Sequence, residues 1–143
     1  MANNIEVRKV FMQDIEHIYP DIYKSIFDDI DPYQCPSIVY LGFENGLFEG
    51  FVSGYIFNAI TFYMQYAGIL KNFRGVKTLN LFREGLKAIN AEFPFIMCVI
   101  RNDNSPALRL ALKEGFIVHG IRQDTGRNLY VELIRGINYG KVY

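Results

Sequence analysis

The stretch from Ile60 to Ile100 reads ITFYMQYAGILKNFRGVKTLNLFREGLKAINAEFPFIMCVI, and it decides the fold of the chain. Its first part, residues 60–70, is a β-branched and aromatic run that is typical of a strand. From Phe73 onward apolar residues recur at helical spacing, which predicts an amphipathic helix. Phe95 to Ile100 is a short apolar run, as expected of a strand buried on both faces. A strand–helix–strand crossover of this kind predicts two parallel neighbouring strands.

Before this crossover the sequence predicts one strand, a broken helix and the first two strands of an antiparallel meander. Residues 5–11 alternate loosely and predict the first strand, and residues 13–28 have helical spacing. Pro20 is tolerated only in the first turn of a helix, so we expect the helical segment to break there into two short helices.

The meander itself is predicted from a hairpin signal. The sequence Glu44-Asn45-Gly46 separates two strand-like runs, residues 37–43 and 48–57, and Asn-Gly between such runs is a strong hairpin signal. A second reversal at Asn58-Ala59 leads into the strand at residues 60–70. Gly50 and Gly54 inside the middle strand are candidates for β-bulges.

After the crossover the sequence predicts one more helix and two final strands. Asn102 to Pro106 supplies turn and N-cap residues before a helix over residues 107–114, which Gly115 ends. Two strands, about residues 116–122 and 129–134, flank a turn at Asp124-Thr125-Gly126. The expected architecture is an α/β fold with a mixed sheet of about seven mostly antiparallel strands and helices on both faces. We expect a single domain over residues 1–136 and a C-terminal tail at 137–143.

Composition and charge exclude several classes of function. The 15 basic and 15 acidic residues cancel, so the chain has no net field that would attract nucleic acid or an anionic membrane over long range, and a local basic patch stays the open alternative. The polar start and the absence of an apolar run near membrane-span length predict a cytoplasmic protein. Cys35 and Cys98 lie far apart in apolar surroundings and are expected to be buried, reduced thiols. We expect no metal site, and His17 and His119 each stand alone as structural residues.

The order of elements, together with two local stretches, resembles the GNAT acetyltransferase family. The resemblance covers nearly the whole chain. The first stretch is Ile69-Leu70-Lys71-Asn72-Phe73-Arg74-Gly75, a strand end that runs into an Arg-Gly turn and a long helix. The second is Asn104-Ser105-Pro106-Ala107 with Gly115-Phe116, which is similar to the family's N-x-x-A helix ending in Gly-Phe. The resemblance implies a GNAT-like fold, acetyl-CoA as the co-substrate and an acceptor site built from the first helices and the loop between the last two strands.

The resemblance also implies which residues contact acetyl-CoA. Free backbone groups of Ile69 and Leu70 would bind the pantetheine amides, and Asn104 would lie near the thiol end of the cofactor, with a plain helix N-cap as the alternative. The residues that match the phosphate loop are Arg74, Gly75, Val76, Lys77, Thr78 and Leu79. The family has small residues where this chain has Lys77 and Leu79, and small residues let backbone approach phosphate closely. Lys77 could compensate as a cation, or it is a solvated surface residue.

The catalytic residues that the family pattern implies are only partly present. Ala111 stands where many members have the tyrosine that protonates the coenzyme A thiolate, and the fourth strand lacks the family's glutamate. The polar positions on that strand are Thr61, Tyr63 and Gln65. The substitute bases are Glu49 on the third strand, Tyr55 and Tyr63. The alternative for each is a surface carboxylate or a packed side chain.

These observations support two main hypotheses about function. The first is an acetyl-CoA-dependent N-acetyltransferase that acts on a primary amine of a small molecule or a protein. The second is a catalytically degenerate GNAT-fold protein that serves as a binding or structural assembly module, and a plain α/β interaction domain is a third. Tyr139 and Tyr143 in the tail are candidate homodimer contacts, with a frayed tail as the alternative.

Overall fold

The computed structural model describes residues 4–27, 37–70 and 78–136. In this part of the chain the elements are β1 Ile5–Phe11, α1 Met12–Ile15, α2 Tyr19–Phe27, β2 Ile38–Glu44, β3 Leu47–Asn58, β4 Thr61–Ile69, α3 Thr78–Glu92, β5 Phe95–Arg101, α4 Ser105–Lys113, β6 Ile117–Gln123 and β7 Leu129–Gly136. The predicted order of elements is confirmed. Cys35, the predicted start of the long helix at Phe73 and the tail at 137–143 lie outside the described residues.

The strands form a seven-stranded sheet in the order β1-β2-β3-β4-β5-β7-β6. β4 and β5 are the predicted parallel pair. Antiparallel pairing joins β1 to β2, β2 to β3, β5 to β7 and β6 to β7. The mixed α/β fold class is therefore confirmed.

The chain groups into two compact units, and each is described by itself. The first comprises Met1–Ile56 and Met64–Ala88, and the second comprises Phe57–Tyr63 and Ile89–Tyr143. The single domain over residues 1–136 stays a prediction.

In the first unit, helices cover both faces of β2. Val39 belongs to a buried cluster with residues of α1 and α2, among them Ile15, Tyr19 and Ile26. Gly42 faces α3 instead, because a Cβ added to it would lie 2.7 Å from Cδ1 of Leu81. Side chains alternate between the two faces along a strand, so Val39 and Gly42 point to opposite sides. The predicted helices on both faces are thus found in this unit.

The break between α1 and α2 lies where the proline predicted it. Residues 16–18 form a turn, in which the Ile18 N–H donates to the Ile15 carbonyl at 2.9 Å. Pro20 is the second residue of α2, within its first turn, where the missing N–H removes no helical hydrogen bond. Tyr19 beside it is buried and hydrogen-bonded to Ser53 Oγ at 3.0 Å, which ties α2 to β3.

The hairpin between β2 and β3 is confirmed, and a bulge follows it. Asn45 and Gly46 take positive φ values of 52° and 82°, as an Asn-Gly turn requires. Gly42 then pairs with Gly50 and Phe43 with Phe48, which makes Glu49 the extra residue of a β-bulge. The predicted bulge thus lies next to Gly50, whereas Gly54 pairs in register with Ile38, so the bulge predicted there does not occur between β2 and β3.

In the second unit, the buried face of β5 forms part of a core. Ile96 and Cys98 are buried, while the other apolar residues of β5 are half-buried, so the predicted burial on both faces is complete at these two residues and partial elsewhere. Phe62 and Phe93 add an aromatic pair with centroids 5.7 Å apart. Cys98 is a free, buried thiol as predicted, and its burial raises its pKa to about 12.

A polar cluster fixes the ends of α3 and α4 to β7 within the same unit. Asn90 Nδ2 donates to the Phe93 carbonyl at 3.0 Å, and its Oδ1 accepts from the Arg135 guanidinium. Arg135 Nε also donates to the Glu114 carbonyl at 2.8 Å. Burial lowers the pKa of Arg135, and the nearby charge of Glu114 opposes that effect.

β6, at the end of the sheet order, is mostly exposed along its length, including the apolar Val118 and Ile121. Its pairing with β7 shifts register between Val118 and Gly120, and a bulge of this kind hinders pairing with another strand. Among the described residues, no helix is both long and apolar enough to cross a membrane.

Candidate functional site

The end of β4 is held against β3 by the bulge residue. Ile69 is the last residue of β4, and the N–H of Leu70, which follows it, donates to the Glu49 carbonyl at 2.8 Å. The expectation that the Leu70 N–H is free for a ligand is therefore wrong. Contact of the Ile69 peptide groups with a cofactor stays a prediction.

Glycines let the backbone pack closely at this point. A Cβ added to Gly50 would lie 2.5 Å from the Gly68 carbonyl oxygen and 3.2 Å from the Ile69 Cα. A Cβ added to Gly68 would overlap the Ile26 side chain and lie 2.9 Å from Cζ of Phe27. The end of β4 is thus packed between β3 and the C-terminal end of α2, with no space for a side chain at either glycine.

The three predicted catalytic residues lie on β3 and β4. Glu49 is buried, at 6% exposure, and the structure brings it into direct contact with Leu70 through its main chain. Gln65 is half-buried on β4 in the same unit. Tyr63 is half-buried on β4 and belongs to the second unit. A buried carboxylate is unusual in a protein core, which supports a role for Glu49 beyond that of a surface charge.

The predicted phosphate loop is only partly described. Arg74, Gly75, Val76 and Lys77 lie outside the described residues. Thr78 is the first residue of α3, and Leu79 follows it, half-buried. The strand-to-helix order on which the loop prediction depends is therefore present, and the contacts of the loop stay a prediction.

Asn104 caps α4 in the second unit. Its Oδ1 accepts from the Ala107 N–H at 3.3 Å, and Pro106 occupies the first turn. Gly115 ends the helix with a φ of 92°, as the predicted Gly-Phe signal requires. Asn104 is therefore a helix N-cap, which was the alternative to a cofactor contact. Contact with a cofactor stays a prediction. Ala111 on the same helix is buried and offers no hydroxyl group.

The turn between β6 and β7 has an ordered polar network that the sequence reasoning missed. Asp124 accepts from the N–H groups of Gly126 and Asn128 at 2.8 and 2.9 Å, from Asn128 Nδ2 at 3.1 Å and from the Tyr130 hydroxyl at 3.1 Å. The hydrogen bonds from Asn128 are the main cause of the lowered pKa of Asp124. The bond to Asp124 also raises the pKa of Tyr130. The sequence Asp124-Thr125-Gly126-Arg127-Asn128 carries the signal for this turn. An aspartate side chain that accepts a hydrogen bond from the backbone N–H two residues later forms an Asx turn.

Histidine and metal chemistry have little support in the described residues. His17 and His119 are both exposed, on the turn after α1 and on β6. Within residues 4–27, 37–70 and 78–136, no group of three or more His, Cys, Asp or Glu residues could hold a metal ion.

The fold is that of the GNAT acetyltransferases. The chain matches no protein-family model and none of the curated proteins, but it matches many solved structures. One of them is Ard1 from Thermoplasma volcanium, which has 17% sequence identity and a TM-score of 0.66; the match covers 93% of this chain and 97% of that one. Another is the ribosomal-protein-S18-alanine N-acetyltransferase from Escherichia coli, which has 13% identity and a TM-score of 0.68. That match covers 98% of this chain and 99% of the other. A GNAT family acetyltransferase from Elizabethkingia anophelis with acetyl-CoA bound has 15% identity and a TM-score of 0.61, with 94% and 99% covered. At these identities the likeness establishes the fold.

Proposed function

We propose that this chain is an acetyl-CoA-dependent N-acetyltransferase that transfers an acetyl group to a primary amine of a small molecule or a protein. The observation that carries the proposal is the GNAT fold, in which β4 leads into α3 and Asn104 caps α4. The neighbour from Elizabethkingia anophelis, which has this fold, holds acetyl-CoA.

The chemistry requires three events at the acetyl group. The amine nitrogen, freed of its proton by a base, attacks the thioester carbonyl carbon, and the carbon–sulfur bond then breaks. The electron pair leaves with sulfur, and the coenzyme A thiolate takes up a proton. Glu49 is the candidate base, because it is a buried acidic residue whose main chain contacts Leu70 directly after β4. Tyr63 and Gln65 are candidates to donate a hydrogen bond to the carbonyl oxygen as negative charge develops there.

The phosphate half of acetyl-CoA would bind at the start of α3. Backbone N–H groups at a helix N-terminus and the helix dipole favour an anion, and Arg74 and Lys77 add cations beside them. Gly75, Val76, Thr78 and Leu79 complete the proposed loop, and Asn104 is proposed near the thiol end.

The first test is isothermal titration with acetyl-CoA, coenzyme A and pantetheine. We expect micromolar binding that needs the nucleotide half of the ligand. Arg74→Glu should weaken binding of acetyl-CoA by about 1–3 kcal/mol, because it places a negative charge against the pyrophosphate.

The matched control is Lys87→Glu, which makes the same change of charge on the exposed face of α3, where Lys87 contacts Glu84 at 3.3 Å. It should leave the affinity unchanged. Equal affinities for the Arg74→Glu variant and the wild type would remove the phosphate-loop assignment, and no binding of acetyl-CoA by the wild type would remove the proposed activity.

A second candidate function is a GNAT-fold binding or assembly module without catalysis. It is favoured by the buried Ala111 at the position where the family has its tyrosine acid and by the absence of a carboxylate from β4. Release of the coenzyme A thiol separates the two functions. Turnover with any of a panel of polyamines, aminoglycosides and peptides with a free α-amine supports the enzyme, whereas acetyl-CoA binding without thiol release supports the module. Peptides with an acetylated N-terminus and no lysine are the blank.

A further inference from the structure

The turn between β2 and β3 contains an asparagine that differs from the others in the residue that follows it. Asn45 is the one asparagine of the sequence that is followed by glycine. Both residues are exposed, and a Cβ added to Gly46 would meet no described atom within 4 Å. Because Gly46 has no side chain and the space beside it is open, the Asn45 side chain can approach the Gly46 backbone closely.

The same asparagine ties the start of β1 to the turn. The Asn45 N–H donates to the Asn4 carbonyl at 2.8 Å, and Asn45 Oδ1 accepts from the Asn4 N–H at 3.2 Å. These bonds continue the β1–β2 ladder one residue beyond the pair Ile5–Glu44. β1 is the first strand in the order of the described sheet, where it pairs with β2. A chemical change at Asn45 therefore acts directly on the start of an edge strand.

Little has to move before Asn45 can react with its neighbour. The hydrogen bond to its side chain, at 3.2 Å, is at the long end of the usual range and lies at the exposed end of the ladder. Exposed ends of this kind open locally without unfolding of the whole protein. Rotation of the released side chain then brings Cγ of Asn45 next to the backbone nitrogen of Gly46.

We propose that Asn45 is a modification site of the folded protein, at which the Gly46 backbone nitrogen attacks Cγ of Asn45 and the residue is converted to aspartate and isoaspartate. Hydroxide takes the proton of the Gly46 N–H, a bond forms between that nitrogen and Cγ, and the Cγ–Nδ2 bond breaks. The leaving nitrogen takes a proton from water, departs as ammonia and so returns the hydroxide. Water then opens the cyclic imide at Cγ, which gives aspartate, or at the main-chain carbonyl carbon, which gives isoaspartate. The net reaction exchanges ammonia for water, and nothing is oxidised or reduced.

The two products differ in their effect on β1. Aspartate keeps a side-chain oxygen that can accept from the Asn4 N–H. Isoaspartate carries the main chain through Cβ, so the turn gains a backbone atom, and the positive φ values of Asn45 and Gly46 that close it can no longer be kept. We expect isoaspartate to break the bonds to Asn4 and release the start of β1. This inference is independent of the proposed acetyltransferase activity.

The test is peptide mapping by mass spectrometry after incubation of the folded protein at neutral and at mildly alkaline pH. Asn58 is the internal control, because it is also exposed at a reversal and its Oδ1 accepts from the Ile60 N–H at 3.0 Å, but Ala59 follows it. We expect Asn45 to be converted about tenfold faster than Asn58, which corresponds to a barrier lower by about 1.4 kcal/mol. The rate at Asn45 should rise with pH, because the attacking nitrogen has to lose its proton. Electron-transfer fragmentation distinguishes isoaspartate from aspartate.

Two substitutions separate the attack from its consequence. Gly46→Asp introduces a residue type that tolerates positive φ, so it should keep the turn, but its side chain hinders the approach of Cγ. Conversion of Asn45 in this variant should fall to the rate of Asn58. Asn45→Asp carries the charge of the products without the extra backbone atom. Hydrogen exchange at the Asn45 amide should stay as slow in this variant as in the unmodified protein and become faster in the isoaspartate fraction.

Each outcome decides the question. Equal rates at Asn45 and Asn58 in the folded protein overturn the inference, even if Asn45 reacts readily in urea, because the folded hairpin then blocks the attack. Faster conversion at Asn45 that does not depend on pH overturns the proposed route. If Gly46→Asp does not fold, as judged by circular dichroism, the comparison of Asn45 with Asn58 decides alone, since both lie in the unaltered sequence. Failure of the wild type to bind acetyl-CoA would remove the proposed function and leave this inference standing.

Discussion

At the scale of single residues, the carboxylate of Asp124 fixes a whole turn. Its hydrogen bonds to Asn128, Gly126 and Tyr130 close the loop between β6 and β7 with one side chain. A carboxylate accepts such bonds best when it is ionised, which is why the pKa of Asp124 lies below the ordinary value for an aspartate. We therefore expect the order of this turn to depend on pH.

The pH dependence has a definite direction. Because the pKa of Asp124 is lower in the folded state, its stabilising effect is present above the ordinary aspartate pKa of about 4 and is lost as the pH falls through the folded-state pKa. We expect the Gly126 and Asn128 amides to be protected from hydrogen exchange near neutral pH and to lose that protection in acid. In Asp124→Asn the protection should be weaker and independent of pH. Equal profiles in both proteins would contradict the role of the carboxylate.

At the scale of elements, the sequence predicts the strands and helices because their signals are local. The Asn-Gly turn, Pro20 and Gly115 each act through the backbone of one or two residues, and each ends or begins an element where predicted. The partial exposure of alternate residues in β5 could not be predicted in this way. An apolar run has the same appearance whether one face or both are covered, and the cover comes from distant parts of the chain.

The candidate site shows the same division between local and distant signals. The capping role of Asn104 follows from its neighbours Ser105 and Pro106, so the sequence alone predicts it. The Glu49 bulge was indicated only by the nearby glycine, and the engagement of the Leu70 N–H depends on a residue in another strand. Pairing of that kind is a property of the sheet, which a reading of strand periodicity does not supply.

The helix α3 gives a prediction of its own. Gly85 lies inside the helix, and a Cβ added there would meet only Val52 Cγ2, at 3.9 Å. Gly85→Ala should therefore raise the free energy of unfolding by about 0.5–1 kcal/mol, because alanine loses less backbone entropy on helix formation. Urea denaturation monitored by circular dichroism measures the change. A destabilised variant would show that the helix is packed more tightly at this position than the distance indicates.

At the scale of the whole molecule, Cys98 can report on unfolding. It is 3% exposed, and a pKa of about 12 leaves almost no thiolate at neutral pH. In a Cys35→Ser background, where Cys98 is the remaining cysteine, a thiol reagent should label the protein only as fast as it opens. Saturating acetyl-CoA should slow the labelling further if the cofactor binds the folded state. Rapid labelling of the native protein would contradict the burial of this thiol.

The close contacts at Gly42 and Gly50 differ in the substitutions that each position can accept during evolution. At Gly42 the obstacle is the Leu81 side chain, so a larger residue could be accepted once position 81 had mutated to a smaller one. At Gly50 the obstacle is the Gly68 carbonyl oxygen, which every amino acid at position 68 carries. No second mutation at position 68 can remove it. Descendants of this sequence can therefore exchange Gly42 as half of a covarying pair, whereas Gly50 has to be inherited unchanged for as long as this bulge persists.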